Sequence, residues 1–337
     1  MLLSLSLETT LKRTVQFYKA ELRIPKATLA LMTARFPGLL TLNIENNVKP
    51  KIEMFVNGMG FSLSRAVKLI VDDPALLGRS RYSLWSSYNA LIAAGFKQNI
   101  VQKMIFDSPR ILQYGCRDTA HELLTALQQP PLLLTAPTAR KMVARYPALL
   151  ASRSGAAKLH KLIDFFAQEG IAPKDIPKIL DKTPQILGLS VDKRLVLTLD
   201  YLKKVLKLSQ QQTCALIVRA PGLLGLHPKR TLEPKISFLI DDVGLNPDAV
   251  KKVLMQAPGL LQLSPTKLAR NLDFLVNVVG IPSSRLPRVI EKAPSLLCLS
   301  TESNMLPIVE FLRNEDALGI DAERVGVMIA AQPQVYV

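Results

Sequence analysis

Apolar residues in this chain return in blocks at a nearly fixed interval, and each block closes on the same phrase, a proline followed two and three residues later by aliphatic side chains. The copies are Pro37-Gly38-Leu39-Leu40, Pro74-Ala75-Leu76-Leu77, Pro109-Arg110-Ile111-Leu112, Pro147-Ala148-Leu149-Leu150 and Pro184-Gln185-Ile186-Leu187. They continue with Pro221-Gly222-Leu223-Leu224, Pro258-Gly259-Leu260-Leu261, Pro294-Ser295-Leu296-Leu297 and a decayed Pro333-Gln334-Val335-Tyr336. Successive prolines are 37, 35, 38, 37, 37, 37, 36 and 39 residues apart. Such a period, sustained along nearly the whole chain, is the mark of a repeat architecture.

One period, Leu226 to Leu261, shows what each copy predicts. Leu232, Ile236 and Leu239 fall on one helical face, so residues 228–242 are expected to form a first helix, which Gly244 breaks. Asn246 suits the cap of a second helix, with Pro247 at its first position and Asp248 in its first turn, running to about Ala257. Pro258 ends that helix. Leu260-Leu261 then sit in a short turn of 3₁₀ type before the next first helix opens at Ser264-Pro265. The sixth residue after each motif proline reads Asn43, Ser80, Gly115, Arg153, Ser190, His227, Ser264 and Ser300. Five of these eight are Asn or Ser, whose side chains satisfy free amides at a helix start, and this supports the same register independently.

A lone helical hairpin cannot cover its apolar face, whereas stacked hairpins share a continuous core. The expected fold is therefore all-α, a superhelical solenoid of about nine repeats with a long concave groove suited to an elongated ligand. Residues 1–28 are expected to form an N-terminal helical cap, 29–299 a basic repeat array and 300–337 an acidic C-terminal repeat. No composition shift or linker divides the chain. The third copy is the weakest, because Gln128, Pro130 and Pro131 replace the expected Phe-Leu and Gly.

Composition adds a partner class. Lys and Arg outnumber Asp and Glu by 43 to 27, a formal charge of +16, which favours a polyanion, nucleic acid ahead of an anionic membrane surface. No apolar run reaches the ~18 residues that span a bilayer, so no membrane partner is expected. Cys116, Cys214 and Cys298 lie far apart, with only His121, His160 and His227 to supplement them. They read as small buried residues of a reducing compartment, and neither a metal site nor a cofactor is expected. Glu8 and Glu21 make residues 1–24 a poor transit peptide: either a presequence is missing from this numbering or the segment belongs to the fold.

The order of signals within a period, a Phe-Leu pair before Gly, a capped helix, then P-x-L-L, resembles the repeat of the mitochondrial transcription termination factor (mTERF) family. Phe238-Leu239 with Gly244-Leu245, Phe274-Leu275 with Gly280-Ile281, and Phe311-Leu312 with Gly319-Ile320 carry the resemblance, which covers roughly Leu29 to the C-terminus. It implies a left-handed superhelix of units with two α-helices and a 3₁₀ turn. It also implies residence in mitochondria or chloroplasts and binding of double-stranded DNA or organellar RNA. Repeats this uniform are similar to those of the plant and algal branch. No individual base-contacting residue of the family finds a counterpart here.

Basic residues cluster just after the proline phrase, at the start of successive first helices: Lys49 and Lys51, Arg79 and Arg81, Arg117, Arg153 and Lys158, Lys193 and Arg194, Lys229 and Arg230, Lys267 and Arg270. Cations there oppose the helix dipole, at about 0.3–1 kcal/mol each, so their recurrence asks for a reason. Phosphates lying across this edge, held by the side chains and the free amides, supply one; a merely solvated charged face is the other reading. A second series, Arg35, Arg145, Lys182, Arg219 and Lys292, lies two residues before the proline, where the dipole favours a cation, and ranks as secondary nucleic-acid contacts. From Ser300 onward six carboxylates face two arginines, a local charge of −4, which suits a cap or a protein-docking end. Tyr82, Trp85 and Tyr88 stand at helical spacing and suit core packing better than base stacking.

Catalysis finds no support in the residues. There is no phosphate-binding loop of the G-x-x-x-x-G-K-[ST] type, Leu63 replaces the third glycine after Gly58 and Gly60, and neither Asp72-Asp73 nor Asp241-Asp242 recurs. Three scattered histidines give no set of nucleophile, base and orienting group. The expected protein is a non-enzymatic monomer that binds duplex DNA in an organelle, the mitochondrion before the chloroplast, and regulates transcription termination or initiation. Binding of ribosomal or intron RNA, and protein docking through the acidic terminal repeat, remain as alternatives.

Overall fold

The computed structural model describes residues 11–113, 117–151, 154–314 and 317–332, and for residues 117, 322 and 323 the backbone alone. Among these residues there are helices and turns and no strand. The fold is an all-α solenoid of helix–helix–3₁₀ repeats. Its contacts divide it into two compact units, Met1–Ile163 and Asp164–Val337, a boundary that no linker in the sequence marks because it falls inside one helix, Gly155–Gln168.

In the first unit, residues 13–21 already form a helix that buries Thr14, Phe17 and Tyr18, followed by Lys26–Arg35 and the 3₁₀ turn Pro37–Thr41. Residues 13–21 thus belong to the fold, and residues 26–35 run as one helix across position 28. Complete repeats follow: residues 44–58 with Leu63–Asp72 and Pro74–Gly78; Arg81–Ala93 with Gln98–Asp107 and Pro109–Leu112; Arg117–Gln128 with Ala136–Arg145 and Pro147–Ala151. The second unit contains Ile176–Lys182 with Pro184–Gly188, residues 191–206 with Gln210–Arg219 and Pro221–Gly225, and residues 228–241 with Pro247–Gln256 and Pro258–Gln262. Residues 265–278 with Leu286–Lys292 and Pro294–Cys298, then residues 301–313 with Ala322–Ala331, complete it. Gly115, Cys116 and Arg153 and the ninth phrase from Pro333 lie outside the described residues.

The proline phrase acts as the sequence pattern requires. Proline disfavours helical geometry in the residue before it. Ala220, Ala257 and Ala293 accordingly leave the helix at φ −137°, −129° and −137°. The chain then closes a tight turn, with the amides of Leu223 and Leu260 each donating to the carbonyl of the residue before proline at 3.1 Å. Both aliphatics of the phrase are buried in every described copy except the first, where only Leu39 is.

Capping also follows the expected register. The side chains of Asn43, Ser80, Ser190, Ser264 and Ser300 each accept an amide three residues on. His227, which the composition of a cap does not suggest, does the same through Nδ1 at 3.3 Å from the Arg230 amide. Second helices are capped by Ser62, Ser209, Asn246 and Asp321. After Asn43, Ser190, His227 and Ser300 the first turn is wide, with an amide five residues on donating to the cap carbonyl at 3.1–3.3 Å. Gly244, at φ +81°, supplies the left-handed residue that lets the chain turn between helices.

In five copies a polar side chain buried in the first helix ties the repeat to the one that follows. A 3₁₀ turn leaves carbonyls without helical partners, and burying them unpaired costs about 1–3 kcal/mol each. Lys51 donates to the Leu77 carbonyl and, at 2.6 Å, to Asn47 Oδ1. Ser87 reaches Leu112 at 3.4 Å, Thr198 reaches Leu226 at 2.9 Å and Lys235 reaches Leu261 at 2.6 Å. Asn271 donates to Leu297 and Leu299 at 2.9 and 2.8 Å. Each donor stands thirteen or fourteen residues after a motif proline, so the latch has the period of the repeat.

Candidate nucleic-acid interface

The cations expected at first-helix starts divide by what holds them. Arg79 and Arg81 flank the cap Ser80; Lys193 and Arg194 follow Ser190, and Lys229 and Arg230 follow His227. All are exposed except Arg194, which is half-buried. Among the described residues, no side-chain hydrogen bond or ion pair holds Arg81, Lys193, Arg194, Lys229 or Arg230. Arg79 lies near the half-buried Asp73, whose carboxyl is pushed up by burial, with Arg110 and Arg79 pulling against that shift. Lys158 is exposed and Lys267 half-buried.

Other members of the series are already engaged. Lys51 is 2% exposed, and its ammonium is turned inward onto the Leu77 carbonyl, so it is a packing residue and not a phosphate contact. Burial, and secondarily the nearby Arg81, pull its pKa from 10.5 down to about 8. Sequence spacing placed Lys51 beside Lys49, but two residues along a helix is half a turn, enough to move a side chain from rim to core. Lys49 pairs with Glu45 at 3.0 Å and Glu21 at 3.6 Å and lies over the Phe17 ring. Arg270 pairs with Glu302 at 3.1 Å, bringing a carboxylate of the terminal repeat onto the basic edge. Arg153 and the side chain of Arg117 lie outside the described residues.

The secondary series has a structural use in at least two copies. Lys182 donates to the carbonyls of Val218 and Arg219 at 3.1 and 3.4 Å. Arg219 in turn donates to Met255 and, at 2.8 Å, to Gln256. Each cation thus caps the C-terminal end of the following repeat's second helix, satisfying carbonyls and the negative end of its dipole. The expected dipole interaction is present, but with the neighbouring helix and not only the residue's own. Arg35, Arg145 and Lys292 are exposed.

Aromatic packing differs from the core reading. Tyr88 is buried and Trp85 stacks on it, with ring centroids 5.4 Å apart at 25°, but Tyr82 is 83% exposed and Trp85 36%. A spacing of six residues turns a helix well past one face, so Tyr82 and Tyr88 cannot share it fully. Tyr82 follows Arg81 directly, placing an open aromatic face beside an unheld cation.

Among the described residues, no group of three His, Cys, Asp or Glu could hold a metal ion, and no helix is long and apolar enough to cross a membrane. Cys214 and Cys298 are half-buried, with thiols pushed up chiefly by burial, and Cys214 donates to the Glu169 carbonyl at 3.0 Å. Comparison with protein families finds the mTERF profile over residues 1–132 and again over 89–337. No curated protein matches the chain. Two overlapping matches spanning the whole length, on a fold of helix–helix–3₁₀ repeats, establish that the chain belongs to the mTERF family.

Proposed function

We propose that this protein binds double-stranded DNA as a monomer through the cations at its first-helix starts and thereby regulates transcription termination or initiation, in the mitochondrion. Membership of the mTERF family supports organellar nucleic-acid binding and a transcription-related role. The observation that carries the reading is the recurrence of Arg81, Lys193, Arg194, Lys229 and Arg230 behind helix caps, without intramolecular partners among the described residues. Cations kept out of ion pairs against the local helix dipole favour an external anion.

RNA is the second reading, supported by the exposed Tyr82 and Trp85 beside Arg81: an open aromatic face suits an unpaired base, which duplex DNA does not offer. Crosslinking in the native organelle, with the attached nucleic acid sequenced after DNase or RNase treatment, separates the two. A discrete DNase-sensitive footprint supports the DNA reading, whereas signal confined to RNase-sensitive ribosomal or intron RNA replaces it. The acidic terminal repeat favours a protein-docking use as well; deletion of residues 300–337, in a variant verified to remain folded, should then abolish partner capture.

A further inference from the structure

A basic cavity lies in the first unit away from the first-helix edge, between the second helices Gln98–Asp107 and Ala136–Arg145 of successive repeats. It measures about 560 Å³, within the range of small-molecule sites. Its walls carry Lys97, Lys103, Arg140, Lys141 and Arg145 against a single carboxylate, Asp107. Its lining also includes Phe96, Ile100 and Pro137, so apolar surface lies within reach of the cations. Four of these cations, all but Arg145, belong to neither basic series read from the sequence, because they lie on second helices and out of phase with the proline.

The Arg140 guanidinium lies beside the turn at Gly95. Gly95 occupies the left-handed region at φ +84°, and a Cβ there would lie 3.1 Å from Arg140 Nη1, so the glycine both makes the turn and admits the guanidinium. Lys97 stands at the start of Gln98–Asp107, which puts its ammonium at the wall of the cavity. Lys103 and Lys141 are exposed at its rim. Convergent cations recognise phosphate, and the adjoining apolar surface recognises the flat, weakly polar face of a base.

We propose that this cavity binds a nucleoside polyphosphate, with the base against Ile100 and Pro137 and the phosphates on Lys97, Lys103, Arg140 and Lys141. The same chemistry is offered by a free nucleotide and by the 5′-triphosphate end of a strand. The site is separate from the first-helix edge and does not depend on it for binding.

Titration of the full chain with ATP, followed by calorimetry, tests this. Saturable binding of wild type is expected, at least tenfold tighter than inorganic tripolyphosphate. Lys103→Glu with Lys141→Glu should weaken ATP at least tenfold without lowering the melting temperature, and the milder Gln pair should fall between. Lys229→Glu with Arg230→Glu should leave ATP binding unchanged while weakening long nucleic acid, so failure of the cavity and failure of the first-helix edge read out separately. Competition by a 5′-triphosphate oligonucleotide, but not its 5′-hydroxyl form, assigns the site to a strand end; no competition by either assigns it to the free nucleotide. Absent saturable ATP binding, equal affinity for tripolyphosphate, or indifference to the Lys103 and Lys141 variants would overturn the proposal.

Discussion

Lys51 offers a test of the inter-repeat latch that no surface lysine could imitate. Its amine is enclosed, donates to Leu77 and Asn47, and has its pKa pulled from 10.5 to about 8, chiefly by desolvation. Below pH 8 both folded and unfolded chains carry the proton. Between pH 8 and 10.5 the unfolded chain still carries it and the folded one does not, so stability rises with pH through that window. From pH 7 to pH 10 a shift of this size corresponds to a gain of about 2 kcal/mol at this site. The neutral amine keeps two of its three hydrogens, one for each acceptor, so the latch persists after deprotonation. Lys51→Met retains the aliphatic stem but has neither the titration nor the donor. At pH 7 its lost hydrogen bonds should cost about 1–3 kcal/mol, and the deficit should widen by about 2 kcal/mol at pH 10. Urea unfolding of both proteins at pH 7, 8, 9 and 10 measures the difference, in which other titrating groups cancel. Parallel pH profiles for the two proteins would refute the buried-amine account.

Further substitutions separate architecture from binding. Arg219→Ala should lower stability by about 1 kcal/mol in denaturant unfolding, through the uncapped carbonyls of Met255 and Gln256. Ser264→Ala should cost about 1 kcal/mol in the same assay, by removing the acceptor of the Lys267 amide. A Cβ at Gly326 would collide with the carbonyl of Gly280, so Gly326→Ala should destabilise the terminal helix by about 1–3 kcal/mol, seen as faster hydrogen exchange across Ala322–Ala331.

What the sequence disclosed and what it withheld follow from the range of the interactions involved. The turn at Pro258–Gln262, the cap at Asn246 and the helix Pro247–Gln256 depend on neighbours within a few residues, and their patterns are read directly from the chain. The fates of Lys51, Lys182 and Arg219 depend on carbonyls 26 to 37 residues away, which no local rule connects. The latch has a signal in the sequence, a polar residue recurring in an otherwise apolar phase thirteen or fourteen residues after proline. Its chemistry changes from Lys to Ser, Thr and Asn, which hides it from a search by residue type. The exposure of Tyr82 has a different cause: three aromatics at spacing three drift around a helix whose turn is longer than three residues.

The salt dependence of nucleic-acid affinity bears most directly on the central claim. If Arg79, Arg81, Lys193, Arg194, Lys229 and Arg230 each meet a phosphate of duplex DNA, log K against log salt should fall with a slope of about −5, at roughly 0.9 per contact. Glu at positions 193, 194, 229 and 230 should reduce that slope to about −2, at an unchanged melting temperature. A wild-type slope near zero, or a slope indifferent to the four substitutions, would contradict the account of the basic edge.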